Sequence, residues 1–254
     1  MVFMEDIFSG VIPAFLLVLT RIGAFFATAP VFSWQVIPNP IKLSITLGIT
    51  LFYAVFLVPP ISFENTGPIP MAILIGQELI YGACLGLVTQ FLFSVIRQVG
   101  HFVERQMGLQ MANIMDPFSD EPGQPIGTLL EILFILMLLN TNGHYLLLQI
   151  LGRSFDQYQP GTIPSLGALT ESIVIGSSTM FLIVLRMAAP LLTAFLLLLV
   201  VLGLMARVAP EANILFLSLP LRVGMGLAIV GLFVPYIYEY LQRFSEWTIE
   251  ILPF

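Results

Sequence analysis

"SIVIGSSTMFLIVLRMAAPLLTAFLLLLVVLGLMA", residues 172–206, carries one charged side chain, Arg186. At a helical rise of 1.5 Å per residue it makes an apolar rod of about 50 Å, against a hydrocarbon core of about 30 Å. A helix that is hydrophobic all round is a membrane span or lies deep in a large core. The rest of the chain decides for the membrane: it is 58% hydrophobic and 9% charged, where soluble chains average about 25% charged. Mean hydropathy is +0.99.

Working outward, six apolar runs stand at about 7–32, 41–61, 71–96, 126–152, 172–206 and 221–242. Most are near the roughly 20 residues needed to cross a bilayer. A membrane barrel would show alternating segments of about 10 residues instead. The fold class is therefore an all-α integral membrane protein with about six long hydrophobic helices, read as one membrane-embedded domain over residues 1–254. The amino terminus begins acidic, "MVFMEDIF", and Arg21 interrupts the first run, so no cleaved signal peptide is expected. Lys42, Arg97, Arg105, Arg207 and Arg222 fall in alternate loops, with Arg153 and Arg243 on the other side. That places the amino terminus in the periplasm by the positive-inside rule.

Two runs fit a bilayer badly. From Met71 to Asp116 there is no proline, and a continuous helix would reach about 68 Å. Arg21 and Arg186 sit inside apolar runs, at about 2.5–3.5 kcal/mol each against lipid. Either the helices kink at Pro13 and Pro190 and the arginines snorkel, or these faces meet other protein. For Arg21 the expectation is a protein partner, with Glu5 and Asp6 first by proximity. Arg21→Leu is then tolerated, and loss of the acid is worse.

Local signals are finer. Gly82 and Gly86 form a small-xxx-small pair that admits a close neighbour helix. Asn140, Asn142, Gly143 and His144 interrupt the fourth run, as a packed turn or as a site on a broken helix. Met107, Met111 and Met115 recur at i, i+4 and i+8, one helix stripe that Pro117 should end by forcing Asp116 out of the α region. Thr128 and Glu131 are placed to form a capping box for the next helix. Pro210 breaks the "ARVAPEAN" segment and frees carbonyls that Arg207 could bridge, with Asn213 in the same turn.

Chemistry finds few candidates. Cys84 is single and mid-run, a small buried hydrophobe. His101 and His144 lack partners at metal-ligand spacing, and "GSS" at 176–178 lacks the context of a serine nucleophile. Asp116 and Asp156 stand in or beside loops, not opposed within helices. No enzyme, cofactor or metal is expected. A net charge of −6 without a basic cluster gives no support to nucleic-acid binding.

Three stretches together resemble one family. They are "TRIGAFFATAPVFSWQVIPNPIKLSITLGIT" (20–50), "GHFVERQMGLQMANIMDPFSDEPGQP" with the later "NGHYLLL" (100–125 and 142–148), and "APLLTAFLLLLVVLGLMARVAPEANILFLSLPLRVGMGL" (189–227). Arg21, Pro30, Pro38 and Lys42 in the first stretch match the pattern of the FliR family, flagellar relatives of the SctT/SpaR export-apparatus proteins of type III secretion. So do the "QMGL", "DP" and "NGH" elements in the second, and Gly203, Arg207, Pro210, Asn213, Pro220 and Gly226 in the third. Glu211 and Arg222 depart from the residues usual there but keep the polarity.

The resemblance implies a flagellar export-gate subunit in the bacterial inner membrane, within the basal body. It implies assembly with FliP and FliQ around a pore for unfolded flagellar export substrates, beside FlhB and FlhA. It implies a FliP-like part at 1–165 and a FliQ-like helical hairpin at 166–254, with "DQYQPGTIPSLG" (156–167) between them. It further implies that Met107, Gly108, Met111, Met115, Asp116, Pro117 and Phe118 help close the pore. Arg21, Pro30, Lys42, Asn142, Gly143, His144, Arg207, Pro210 and Asn213 are expected to serve assembly. The alternatives are the injectisome homologue of the same gate, or a six-helix secondary transporter with its site at Asn140, Asn142 and His144.

Overall fold

A computed structural model describes residues 12–30, 38–57, 67–109, 124–209, 211 and 213–252. Each apolar run gives helix: α1 (Ile12–Thr28), α2 (Asn39–Phe52) with a π-helical turn (Tyr53–Leu57), α3 (Pro68–Met107), α4 (Pro125–Asn140), α5 (His144–Gln157), α6 (Leu166–Val208) and α7 (Ile214–Ile251). No strand occurs among the described residues. Among the described residues, four helical segments are long and apolar enough to cross a membrane, and a fifth span results if α4 and α5 count as one broken helix. The protein is an all-α membrane protein. At 40 and 43 residues, α3 and α6 measure about 60 and 65 Å. Helix α6 runs through Pro190.

Two compact units interleave along the chain. The first holds the described residues of 1–92, 142–177 and 245–254; the second holds those of 93–141 and 178–244. These units do not coincide with the expected parts 1–165 and 166–254.

In the first unit, α1 buries Ala14, Leu17, Val18, Arg21, Ile22, Phe25 and Phe26. That is the i, i+3, i+4, i+7 stripe of one helix face. Helix α3 lies directly on it, and the two glycines explain how. A Cβ on Gly82 would strike the Arg21 carbonyl, and one on Gly86 would strike the Thr28 hydroxyl and come within 2.8 Å of the Phe25 carbonyl. The small-xxx-small pair thus sets the helix separation. Helices α1 and α2 and the π turn pack together, and Tyr53 meets Phe155 of α5 at 5.2 Å between ring centroids. Cys84 is buried, its thiol facing the Leu169 carbonyl at 3.7 Å.

The second unit is centred on rings. Phe93 of α3 lies edge-on to Phe134 of α4 and to Phe244 of α7, at 5.3 and 5.1 Å between centroids. Phe134 also meets Tyr240 at 5.8 Å. Such pairs contribute about 0.5–1.5 kcal/mol beyond their burial.

Two helix ends differ from the sequence expectation. Helix α3 does not continue to Asp116; it stops at Met107, where Gly108 takes φ +78. The Gly108 N–H donates to the Arg105 carbonyl at 3.2 Å and the Leu109 N–H to that of Glu104 at 3.3 Å. This is a Schellman cap. Met107 therefore cannot share one continuous helix stripe with Met111 and Met115. Likewise, the Thr128–Glu131 capping box does not form. Pro125 sets the start of α4, so Thr128 already lies inside the first turn and no side chain of α4 caps it. Glu131 instead pairs with Arg97 at 2.5 Å.

Candidate functional site

Arg21 is completely buried in the first unit, although α1 is otherwise apolar there. Its Nε donates to Glu78 Oε2 at 2.5 Å and its Nη2 to Oε1 at 2.9 Å, a bidentate pair with Glu78, also fully buried. Nη1 donates to the carbonyls of Ser154 and Tyr158, both at 2.8 Å, and Nη2 to that of Thr162 at 3.3 Å. The guanidinium also lies over Tyr81 and Phe155, 4.8 and 4.5 Å from the ring centroids. Glu78 Oε1 takes a further hydrogen bond, 2.7 Å, from the Gly161 N–H.

The physical logic starts at the end of α5. The last carbonyls of a helix lack intrahelical donors and carry its negative end, so a cation is favoured there. Arg21 supplies that cation, and its planar fork meets several acceptors at once, which a lysine could not do. Gly161 has φ +89, a conformation that side chains resist, and this turn aims its N–H at Glu78. The cluster ties α1, α3 and the end of α5 to the segment leading into α6. Arg21 is thus satisfied by protein, as expected, but its partner is Glu78. Glu5 and Asp6 lie outside the described residues. The tolerance expected of Arg21→Leu is reversed by this geometry, because the substitution would leave the buried Glu78 carboxylate without its counter-charge.

A second cluster sits in the second unit. Glu104, 2% exposed, accepts from the Ile126 N–H at 2.5 Å and the Gly127 N–H at 3.1 Å through Oε1. Those are first-turn donors of α4, whose Pro125 has no N–H to offer. A carboxylate at a helix amino terminus satisfies orphan donors and complements the dipole. His101 Nδ1 is 3.5 Å from the other oxygen, Oε2. Arg97, His101 and Glu104 recur at i, i+4 and i+7, so one face of α3 addresses the start of α4. Gly100 continues that face, bringing the backbone of Gly127 so close that a Cβ on Gly100 would strike the Gly127 Cα. One turn on, Met107 is 1% exposed and its side chain fills the space a Cβ on Gly226 of α7 would need. The two ends of residues 108–124 are thereby fixed: one by the Schellman cap and Met107, the other by Glu104.

Of the expected closure residues, Met107 is core packing and Gly108 is a helix cap. Met111, Met115, Asp116, Pro117 and Phe118 lie outside the described residues. Among the expected assembly residues, Arg21 is the centre of the first cluster. Pro30 is half-buried after α1, and Lys42 is half-buried in the first turn of α2. Asn142 is exposed with φ 59, the left-handed turn that asparagine tolerates, and Gly143 precedes the first residue of α5. His144 lies on Tyr145, 4.3 Å between centroids, with Nδ1 buried and unpartnered. Arg207 is exposed in the last turn of α6 and bridges no carbonyl among the described residues. Pro210 falls outside them. The Asn213 side chain accepts from the Phe216 N–H at 3.3 Å, capping α7.

Sequence reasoning passed over Glu78 and Glu104. The signal was present for the first: Glu78 is the lone charge in residues 71–96. A lone acid in an apolar run requires a partner.

The comparisons with known proteins cover both clusters. Residues 12–247 match the family model described as bacterial export proteins, family 1. The chain is 29% identical over 245 residues to flagellar biosynthetic protein FliR of Bacillus subtilis, spanning 94% of this chain and 93% of that one. It is 31% identical over 233 residues to the protein of the same name in Escherichia coli K12, spanning 90% and 87%. It is 27% identical over 222 residues to Yop proteins translocation protein T of Yersinia pestis, spanning 85% and 84%. With an all-helical membrane fold matched from the first helix to the last, the chain belongs to the bacterial export proteins, family 1.

Proposed function

We propose that this chain is a subunit of the flagellar type III export gate, forming with FliP and FliQ the channel for unfolded flagellar proteins. It works beside FlhB and FlhA in the inner membrane. The observation that carries the reading is the near full-length likeness to proteins named for flagellar biosynthesis. The surface supports it: α6 and α7 have few buried residues along their apolar windows, 22% and 17% against 61% for α3. Faces of that kind suit a subunit whose helices are covered by neighbours or lipid. In this reading the part up to 165 is FliP-like, and α6 and α7, joined by five residues, form a FliQ-like hairpin.

Residues 108–122 then help close the pore. Their anchoring supports this: both ends are held, by Met107 on Gly226 and by Glu104 on α4, so a short segment is presented from fixed points. Arg207, Lys42 and the 142–144 turn are assigned to assembly, and the gate carries out no chemistry of its own.

Affinity purification from detergent tests the reading. A tagged chain brings FliP and FliQ with it and restores motility to a strain lacking its own FliR. Isolation alone, with no restored export, overturns the reading. The injectisome version is favoured by the likeness to the Yersinia protein, and rescue of effector secretion in place of motility would select it. A solute transporter would bind a small solute in the purified chain alone; exposed Asn140 and Asn142 give it little to build on.

A further inference from the structure

We propose that the exposed face of α6 around Arg186 seats an apolar helix of a different polypeptide, one that carries a carboxylate opposite Arg186. Arg186 stands 20 residues from the start of α6 and 22 from its end, about 30 Å from either. It is exposed and makes no hydrogen bond or ion pair with the described residues. Leu182, Leu185 and Leu197, at helical spacing around it, are 47%, 59% and 59% exposed. A cation in such a face is unfavourable against lipid, so its charge calls for an acid.

The backbone adds a second demand at the same point. Pro190 has no N–H, so the Arg186 carbonyl loses the donor that residue 190 would give it. The charge thus stands on the turn where an otherwise apolar helix lacks one backbone donor. A carboxylate satisfies the guanidinium bidentately, and an apolar helix covers the leucines.

Among the described residues no acid pairs with Arg186. The acid on α6 itself is Glu171, 15 residues and about 22 Å away along the axis. Glu239 on α7 is exposed and pairs with Arg243 at 2.9 Å. A second copy meeting α6 in parallel register would oppose arginine to arginine. With no acid for it among the described residues, the exposed guanidinium suits a carboxylate on a different chain.

The test uses the full-length chain in the cells that assemble it. A photo-crosslinking residue at Leu185 is activated in native membranes and its adduct mapped by mass spectrometry. Arg186→Met and Arg186→Glu are compared for recovery of that adduct partner, with the monodispersity of the chain alone as the folding control. The expected adduct lies within one helical turn of an Asp or Glu in an apolar run of another polypeptide. Recovery falls about tenfold or more in both variants, and the chain alone stays monodisperse because Arg186 supports nothing within it. Exchanging the mapped acid for arginine restores Arg186→Glu. Adducts with lipid, with a second copy, or with a helix lacking a nearby acid overturn the proposal. So does unchanged or improved recovery in Arg186→Met, the result for an arginine that merely meets lipid. Loss of FliP and FliQ from the wild-type complex would fail the functional reading, whereas these outcomes turn only on the variants.

Discussion

The Arg21–Glu78 pair can be taken apart with predictable asymmetry. Glu78→Gln keeps the volume and leaves a side-chain carbonyl for the Gly161 N–H, but removes the carboxylate that neutralises Arg21. Breaking a buried pair from one side costs about 3–5 kcal/mol. The lower figure applies here, because three backbone carbonyls and two ring faces still surround the guanidinium. Arg21→Met is harsher. It strands the Glu78 carboxylate with one N–H donor and frees the carbonyls of Ser154, Tyr158 and Thr162. Thr162 is exposed and Tyr158 half-buried, so water reaches those two, while the buried Ser154 carbonyl keeps the Tyr158 N–H as its donor at 3.1 Å. About 4 kcal/mol follows from the same range. Once Arg21 is gone, Glu78→Gln removes an unpaired charge and is near neutral, so the double variant also costs about 4 kcal/mol. The coupling is then about 3 kcal/mol, at the top of what contacting residues show. Thermal unfolding of the four proteins in one detergent, read by fluorescence size exclusion, measures all the terms. Singles that each lose less than about 0.5 kcal/mol, or strictly additive losses, would refute the keystone reasoning.

Other expectations are simpler. Glu104→Ala removes the cap from α4 and should cost about 1–2 kcal/mol, with faster hydrogen exchange at Ile126 and Gly127; unchanged exchange there would mean water replaces the carboxylate without loss. Gly86→Val forces a side chain onto Thr28 and the Phe25 backbone, and should destabilise by more than about 3 kcal/mol or block expression, while Gly224→Ala, with open space at its Cβ, should not. Replacing 108–122 by a short Gly/Ser link should leave complex abundance intact and raise ion conductance; equal leak at equal abundance would remove the closure role. Arg207→Ala should lower recovery of FliP and FliQ without changing the stability of the chain alone, since Arg207 bonds to none of the described residues.

What the sequence made legible was what local chemistry decides. Apolar length produced the helices, and Gly82 and Gly86 announced a close approach that the α1 backbone in fact occupies. Ranking acids for Arg21 by chain distance failed because helix packing joins residues 57 apart as readily as neighbours. The end of α3 was misplaced for a related reason. Proline is the breaker that sequence reading looks for first, although α6 runs through Pro190, whereas glycine ends a helix only where the next residues can turn away. Anchoring of Met107 on Gly226 is a tertiary fact that local sequence does not carry. The capping box was lost to a competing local rule, since Pro125 at the first position started α4 before Thr128 could act. A better rule for such chains treats every lone charge in an apolar run as half of a contact. Glu78 has its arginine and Glu104 its helix terminus, both supplied from within. By the same rule Arg186, which has neither, points outward to the chain that completes it.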